Sequence, residues 1–377
     1  MKHTHPLYHH RSRCRLCDST ALTKVFTLTP TPPANAFVSK EHLSTEQPTY
    51  PLELFFCENC SHLQLLDVVN PTELFRNYVY VSGTSASVIK HFSDYATSCI
   101  DGFDLSAGDL VVDIGSNDGT LLQFFQDKKL NILGIDPARN IAKKASEKGI
   151  ETWPNFFNRT VVNKILKIKG QAALITANNM FAHADDLVGI VDNIRSLLTP
   201  GGVFIFEVSY LGAVFEGTLF DTIYHEHVAY HSVLPLVTFF DSNGMDFFAV
   251  ERITSHGGSI RGMVQFNGGP HETKGSVQAL IDYECKLRIN LSQTWVGYAG
   301  KINTLRNELV DLLTRLKQEG KTIAGFGAPA KATTLMYHFG IGPEIIDFIV
   351  DDAPLKQGLY SPGLHVPVLS SKAIYEK

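Results

Sequence analysis

Residues 111–119 have the sequence VVDIGSNDG, and this stretch decides the fold of the chain. The mostly apolar run 110–114 predicts a buried strand, residues 115–119 a turn, and residues 120–126 a helix. Gly115 permits a tight turn and lets the backbone approach a ligand closely. Because ligands of open α/β sheets bind at the carboxyl ends of the strands, this turn is the predicted ligand site.

The alternation of strands and helices continues beyond this stretch. Apolar runs predict strands at 131–135, 172–176 and 203–208, and amphipathic runs predict helices at 138–148 and 187–198. Apolar strands that alternate with helices indicate an α/β fold with a parallel, doubly wound central sheet.

A smaller module precedes this central domain. Residues 1–70 are rich in Cys, Pro and Thr and lack long helical periodicity, which predicts a small, loop-rich module. The central domain then spans residues 71–270 and begins with a helical lead-in at 71–105.

A second α/β unit is predicted at residues 271–377. Residues 276–319 predict a long amphipathic helix, in which a break is left open. A strand at 322–326, a Gly-containing turn, a helix at 331–337 and a strand at 345–350 follow. This order predicts a smaller Rossmann-like unit.

Length and composition narrow the class of protein. A chain of 377 residues is too long for one ordinary core, so two or three domains are expected. The net charge of −5 argues against a nucleic-acid partner, because nucleic-acid binders are more often basic. The sequence contains no apolar secretion signal and no run that approaches a membrane span, so we expect a cytoplasmic monomer or homodimer without a membrane partner.

Four cysteines form two C-x-x-C pairs, Cys14 with Cys17 and Cys57 with Cys60. In a reducing compartment such pairs indicate a metal site, and four thiolates predict a structural zinc ion with no open coordination position. The interval between the pairs is longer than in common zinc fingers, His62 is a competing ligand, and four unrelated thiols are the other interpretation. We expect Cys57→Ser to loosen this module without a direct effect on chemistry.

Polar residues follow three of the predicted strands of the central domain. The pattern is not G-x-G-x-x-G, so a smaller adenosyl ligand is favoured over a dinucleotide. The signals resemble S-adenosylmethionine (SAM) methyltransferase motifs, in which Asp113 and Gly115 face the methionine part, Asp136 the ribose, and Asn178 forms the floor. A turn that binds no ligand is the alternative. The predicted cofactor residues are Asp113, Gly115, Asn117, Asp118, Asp136, Asn178 and Asn179.

The densest cluster of ionisable side chains is the run Tyr224-His225-Glu226-His227. In an extended segment His225 and His227 share one face and Glu226 lies on the other, whereas in a helix the three diverge. In either case a carboxylate can orient one imidazole as a base near neutral pH. A metal site is the competing interpretation, although the H-E-x-x-H spacing is absent.

Further polar residues are candidates for the same pocket. His183 follows the strand at 172–176, and Tyr78 and Tyr80 precede the central sheet. The turn 256–261 combines backbone N–H groups with a cation and is suited to hold a phosphate. For His183, Tyr80 and the cation of this turn, a structural role is an equal alternative. The predicted substrate-binding residues are Tyr78, His225, His256, Gly258, Ser259, Arg261 and Lys331.

Over nearly its whole length the chain resembles the sugar C-methyltransferases of deoxysugar biosynthesis, which methylate C3 of nucleotide-linked 4-keto sugars. The resemblance is carried by the order of several motifs and not by any one of them. These are the two C-x-x-C pairs and residues 113–122, 178–183, 220–227, 256–261 and 325–331.

The resemblance implies a mechanism and roles for several residues. The C4 ketone acidifies the C3 proton, a base removes it, and the enolate carbon attacks the methyl group of SAM. By resemblance His227 is the base and Glu226 orients it, while Tyr224, Tyr80 and His183 line the sugar pocket and stabilise the enolate oxygen. The C-terminal unit resembles a Rossmann-like half that helps to hold the nucleotide diphosphate.

Two other functions remain open on the sequence alone. An NAD-linked oxidoreductase or epimerase acting on a similar sugar would use the turn at 325–331 as its dinucleotide site. In a non-enzymatic zinc-module protein the α/β unit would be a scaffold. The intact acid–base run at 224–227 argues against the second of these.

Overall fold

The N-terminal module is built from antiparallel strands. The computed structural model of the protein describes residues 7–75, 83 and 86–376. Strand β1 (Tyr8–His10) pairs with β5 (Asp67–Val69), while β2 (Leu22–Thr31), β3 (Tyr50–Cys57) and β4 (Leu63–Leu65) form a larger sheet. Side chains alternate between buried and partly buried along β3, so the expected loop-rich module contains a regular sheet with a core face.

A seven-stranded sheet forms the centre of the molecule, and helices α1 (Pro71–Phe75) and α2 (Ala86–Gly102) precede it. Its spatial order is β8-β7-β6-β9-β10-β13-β12, in which β6 to β10 are mutually parallel and β13 is antiparallel to both of its neighbours. The strands are β6 (Leu110–Ile114), β7 (Asn131–Ile135), β8 (Thr152–Trp153), β9 (Ala172–Asn178), β10 (Leu198–Ser209), β12 (Met245–Ile253) and β13 (Ser259–Phe266). The predicted α/β fold with a parallel sheet is confirmed, and β12 and β13 extend it.

Helices cover both faces of this sheet. They are α3 (Thr120–Gln126), α4 (Arg139–Glu147), α5 (Arg159–Ile168), α6 (Leu187–Leu197), α7 (Leu211–Gly217) and α8 (Val233–Ser242). All five residues of β6 are buried, because apolar side chains pack against the strand from both faces. The ends of the strands β6 and β7 and of the helix α3 agree with the prediction.

The C-terminal unit begins with two helices and ends in a small parallel sheet of order β14-β15-β16. Its elements are α9 (Gly275–Leu287), α10 (Ser292–Gln318), β14 (Ala324–Phe326), α11 (Ala330–Phe339), β15 (Phe348–Val350), β16 (Val368–Leu369) and α12 (Ala373–Glu376). The long predicted helix is therefore broken. At the break Arg288 has a φ of 59°, and the indole of Trp295 donates a hydrogen bond to the carbonyl of Ile289 at 2.9 Å.

The three parts of the chain share elements and a core. Strand β11 (Ala229–Tyr230), which lies within the central domain in sequence, pairs with β4 of the N-terminal sheet. Phe26 of β2 packs edge-to-face on Tyr298 of α10, and Phe220 stacks on Phe339 of α11. Among the described residues no helix is both long and apolar enough to span a membrane.

Candidate active site

The four cysteines of the two C-x-x-C pairs lie together. Their sulfur atoms are all within 4.8 Å of one another, and the Cys14–Cys60 and Cys17–Cys57 sulfur pairs are each 3.6 Å apart. A tetrahedral zinc ion with Zn–S bonds of about 2.3 Å needs sulfur–sulfur edges of about 3.8 Å. The group fits a structural four-thiolate zinc site, and in the described part of the chain His62 is not among its members.

The turn after β6 has the geometry of a ligand site at the carboxyl edge of the sheet. The Oδ1 atom of Asp113 accepts a hydrogen bond from the hydroxyl of Thr176 at 2.6 Å, and burial raises the pKa of Asp113 to about 7. Gly115 has a φ of 75°, and a Cβ atom there would lie 3.1 Å from the Cβ of Met180. The chain is therefore so closely packed at position 115 that only glycine, which has no side chain, fits there.

Asp136 lies just beyond the end of β7 and binds the turn after β6. Its carboxylate accepts hydrogen bonds from the backbone N–H groups of Asn117 at 2.9 Å and Ala138 at 2.8 Å. Burial raises the pKa of Asp136, and both of these N–H groups lower it. A carboxylate has about four acceptor positions, so Asp136 retains capacity for two ligand hydroxyls. Asp118 instead accepts from the hydroxyl of Thr120 at 2.7 Å and contributes to the start of α3.

Asn178 is the last residue of β9, and the environment of its side-chain amide is unusual. Both polar atoms of its amide are buried without a hydrogen-bond partner in the described structure. The next residue, Asn179, has a φ of 53° and donates its N–H to the carbonyl of Glu207 at 2.7 Å. Because buried polar groups are almost always hydrogen-bonded, the free amide of Asn178 fits a polar ligand at this edge.

His227 is held in one tautomer by two neighbours. Its Nδ1 atom lies 2.9 Å from the carbonyl oxygen of Thr222, which can only accept, so Nδ1 carries the proton. The Nε2 atom then accepts from the hydroxyl of Tyr224 at 3.0 Å. Burial lowers the pKa of His227 to about 4, and the Thr222 hydrogen bond raises it. The imidazole is therefore neutral at neutral pH, with a lone pair on Nε2.

His183 lies beside this ring. The ring centroids of His183 and His227 are 5.0 Å apart, and Phe75 stacks on His183 at 5.4 Å. The Nε2 atom of His183 is buried and has no partner within the described ranges. Burial lowers the pKa of His183 well below its usual value, and His227 lowers it further. The structure thus brings together Tyr224, His227 and His183.

The other two members of the acid–base run point elsewhere. Residues 224–227 form a turn, closed by a hydrogen bond from the N–H of His227 to the carbonyl of Tyr224 at 2.9 Å. Glu226 accepts from the side-chain amide of Asn35 at 2.7 Å, while the carbonyl of Thr222 makes the orienting contact with Nδ1 of His227. His225 is buried, and its Nε2 atom faces the carbonyl of Pro51 at 3.2 Å.

Arg261 is part of a buried ion pair. Its Nε atom donates to Glu207 at 2.7 Å, its guanidinium lies 4.0 Å above the ring of Tyr95, and the imidazole of His91 approaches Glu207 at 2.8 Å. The predicted phosphate contact of Arg261 stays a prediction, and the structure gives this cation an internal partner. Sequence reasoning did not select Glu207, although a glutamate in the apolar strand 203–208 is a signal for a buried carboxylate.

The remaining candidates lie around the turn after β12. The φ of His256 is 54°, the carbonyl of Gly258 accepts from the N–H of Tyr210 at 3.1 Å, and Ser259 donates to the carbonyl of Ser255 at 3.0 Å. Burial lowers the pKa of His256, and the positive charge of Lys331 from α11 also lowers it. The same cation also lowers the pKa of His227. Tyr78 and Tyr80 lie outside the described residues.

Comparisons with known proteins agree with this architecture. Protein-family models match residues 14–75 as a zinc binding domain, residues 92–246 as a methyltransferase domain and residues 254–377 as a C-methyltransferase C-terminal domain. The C-methyltransferase NovU of Streptomyces niveus is 33% identical over 357 residues, which are 95% of this chain and 85% of the relative.

Two weaker similarities cover smaller shares of the chain. The ubiquinone biosynthesis O-methyltransferase of Colwellia psychrerythraea is 27% identical over 139 residues, which are 33% of this chain and 56% of that protein. The crystal structure of an S-adenosylmethionine-dependent methyltransferase from Clostridium acetobutylicum covers 47% of this chain and 92% of its own, with 15% identity and a TM-score of 0.39.

The central sheet, the four-cysteine group and the matching methyltransferase domain define a SAM-dependent methyltransferase with a zinc-binding module. The identity to NovU and the matching C-terminal domain make the assignment narrower: the chain belongs to the C-methyltransferase family.

Proposed function

We propose that the enzyme methylates C3 of a nucleotide-linked 4-keto-deoxysugar through an enolate. The observation that carries the proposal is the neutral His227, whose Nε2 lone pair faces the hydroxyl of Tyr224 beside His183. A proton next to a ketone is acidic enough for a neutral imidazole to remove when a donor stabilises the enolate oxygen.

Each member of this group has a defined task in the proposed reaction. The C3 proton passes to Nε2 of His227, and the electron pair of the C–H bond moves toward the C4 oxygen. The hydroxyl of Tyr224 turns from Nε2 to the enolate oxygen, and His183 offers its unpaired Nε2 atom to the sugar. When bound, SAM supplies the methyl group that C3 receives.

The cofactor residues are assigned by the same proposal. The backbone at Gly115, next to Asp113, approaches the methionine part, and Asp136 uses its spare acceptor positions for the ribose hydroxyls. The unpaired amide of Asn178 binds the cofactor from the end of β9. Asn117 positions Asp136, while Asp118 and Asn179 act through the turns that they shape.

The charge of Lys331 supports a nucleotide diphosphate as the carrier of the sugar. Lys331 lies in the first turn of α11, and its positive charge lowers the pKa of both His227 and His256, so the C-terminal unit presents a cation to these two histidines. An NAD site at the neighbouring turn is less favoured. There the N–H of Gly327 donates to the carbonyl of Val350 at 2.7 Å, and the N–H of Ala328 donates to the carboxylate of Asp351 at 2.7 Å. That anion opposes a pyrophosphate in the same place.

We assign the enzyme to the cytoplasm, where its thiols stay reduced.

The test compares binding and turnover. Calorimetric titration with S-adenosylhomocysteine, beside NAD, identifies the cofactor, and incubation with SAM and dTDP-, GDP- or CDP-linked 4-keto-deoxysugars identifies the acceptor. His227→Gln should lower turnover by at least about a hundredfold, because it removes the base, while S-adenosylhomocysteine still binds. His42→Gln, at an exposed histidine, is the matched control. Binding of NAD alone, or parent-like turnover in His227→Gln, would overturn the proposal.

A further inference from the structure

Arg15 stands between two zinc ligands, and its side chain enters the protein interior. It lies in the turn Cys14–Cys17 and is only 3% exposed. Its Nη1 atom donates to the side chain of Gln64 at 3.1 Å and to the carbonyl of Leu65. Its Nε atom donates to Oδ1 of Asp185 at 3.1 Å. The guanidinium therefore joins the zinc module to the central domain.

Several basic side chains of the N-terminal module meet at Asp185. Arg11 approaches its Oδ1 atom at 3.2 Å, and the imidazole of His9 approaches its Oδ2 atom at 3.2 Å. The partly exposed contacts of Asp185 with Arg11 and His9 contribute little, but Arg15 is buried and has this carboxylate as its charged partner. Removing one member of a buried pair leaves a charge without compensation, which is strongly unfavourable.

The loop that carries Asp185 also carries His183, two residues earlier. A backbone path reinforces the same connection. The N–H of Leu65 donates to the carbonyl of Val228 at 3.0 Å, and the N–H of Val228 donates to the carbonyl of Ala182 at 3.0 Å. Val228 directly follows His227 and Ala182 directly precedes His183, so β4 is bonded to the His227 segment, and through Val228 it is linked to the His183 segment.

We propose that Arg15 is a positioning residue for methyl transfer, which fixes the His183 loop against His227 through its bond to Asp185. The proposal rests on the proposed function, because it assumes that these two histidines act on the sugar. The backbone hydrogen bonds hold the His183 and His227 segments at a fixed separation. The Arg15–Asp185 bond fixes the direction in which the His183 loop leaves the sheet. A displacement of about 1 Å in a catalytic group costs up to about a hundredfold in rate.

The experiment uses the carboxylate end of the bond, because a substitution of Arg15 between two zinc ligands would disturb the metal site itself. Asp185→Ala removes the acceptor, and Asp185→Asn keeps an acceptor oxygen at the same place. Asp186→Ala is the matched control, since it removes a carboxylate from the same loop. Asp186 caps α6 by accepting the N–H of Gly189 at 2.9 Å, so its loss removes a helix cap of α6.

Four quantities are measured: zinc content, affinity for S-adenosylhomocysteine, steady-state turnover, and exchange of the C3 proton of the 4-keto sugar with deuterated water. In Asp185→Ala we expect kcat and the exchange rate to fall by about tenfold to a hundredfold, with zinc and S-adenosylhomocysteine bound as in the parent. Asp185→Asn should recover most of this loss, and Asp186→Ala should retain the parent rates.

The possible outcomes separate the two proposals. If the parent enzyme neither exchanges the C3 proton nor methylates any 4-keto sugar, the proposed function fails. If the parent is active and Asp185→Ala exchanges and turns over as fast as Asp186→Ala, the function stands and the positioning role of Arg15 is refuted. Loss of zinc in Asp185→Ala would also refute it, because Asp185 would then maintain the metal site and not the histidine loop.

Discussion

At the scale of single residues, the buried ion pair of Glu207 and Arg261 makes the stability of the fold depend on both side chains. The two side chains are 2% and 8% exposed and lie on neighbouring antiparallel strands. Arg261→Ala leaves the carboxylate of Glu207 buried, with His91 as its remaining side-chain partner among the described residues, so we expect the free energy of unfolding to fall by about 3–5 kcal/mol. Urea denaturation of the zinc-loaded protein measures this loss.

A surface arginine provides the control for this substitution. Arg252 pairs with Glu216 at 3.3 Å, with side chains that are 45% and 37% exposed, so Arg252→Ala should cost about 1 kcal/mol or less. If Arg261→Ala is equally mild and instead raises KM for the nucleotide sugar, Arg261 is a phosphate contact as its sequence neighbourhood predicts.

The partner of Arg261 could not be identified from the sequence. The Gly-containing turn predicted at 256–261 is a local pattern, and in the structure its first half lies between β12 and β13 while residues 259–261 belong to β13. Glu207 is 54 residues away, and it meets Arg261 only because β13 runs antiparallel beside β10. The sequence identifies the candidate histidines. Their tautomers and the hydrogen-bond partners of their ring nitrogens depend on contacts between distant segments.

His225 predicts a measurable pH dependence of stability. Burial lowers the pKa of His225 from 6.5 to about 4, so this residue is neutral in the folded protein and protonates more readily in the unfolded chain. The stability due to its lowered pKa is fully present above pH 6.5 and is lost as the pH falls from there to about 4. His225→Gln keeps an N–H donor for the carbonyl of Pro51 and does not titrate.

The difference in unfolding free energy between the parent and His225→Gln should therefore fall by about 1.4 kcal/mol per pH unit below pH 6.5. Urea titrations across this interval measure it, and any loss of zinc in acid cancels because both proteins share it. Equal pH dependence in the two proteins would contradict a buried, neutral His225.

At the scale of elements, local sequence patterns predicted the parts that depend on local interactions. The limits of β6, α3 and β7 follow from a short apolar strand, a Gly-bounded turn and an apolar helix face. The break between α9 and α10 was not located. Arg288 adopts a left-handed backbone conformation that glycine usually adopts, so its residue type does not indicate the break. The buried Trp295, which stabilises the break, packs on Phe215 of α7, which is distant in sequence. The strands β12 and β13 were missed as well, since they pair with each other at the far edge of the sheet.

The connection between β6 and β7 predicts a specific loss of cofactor affinity. Asp136 binds the N–H of Asn117, so Asp136→Ala removes both the predicted ribose acceptor and the hydrogen bond that shapes the turn after β6. We expect the affinity for S-adenosylhomocysteine to fall by about tenfold to a hundredfold, as for loss of hydrogen bonds to a charged group. Calorimetry measures it. Asp127→Ala, at an exposed carboxylate after α3, is the control, and unchanged affinity in Asp136→Ala would exclude the ribose assignment.

At the scale of the whole molecule, the zinc module is not an independent appendage. Its sheet accepts β11, the strand that directly follows the His227 segment, and its strand β2 packs against α10 and α11 of the C-terminal unit. The sequence divides the chain into three consecutive domains, but pairing between β4 and β11 joins residues that are far apart in sequence. A change in the zinc module should therefore reach the histidine pair through the backbone.

Loss of the metal tests this coupling. Cys57 ends β3 and is fully buried, so Cys57→Ser should release zinc and loosen β3, β4 and β11 together. Against the expectation from sequence alone, we predict that turnover falls by at least about tenfold, because the His227 and His183 segments lose their fixed separation. One face of the parallel sheet packs in a cluster that contains no residue of the zinc module, so S-adenosylhomocysteine should still bind. Cys285→Ser, at the exposed cysteine of α9, should retain zinc, binding and turnover. Zinc analysis, calorimetry and a methyl-transfer assay on both variants measure the three effects, and full turnover in a zinc-free Cys57→Ser protein would mean that the zinc module and the histidine pair are uncoupled.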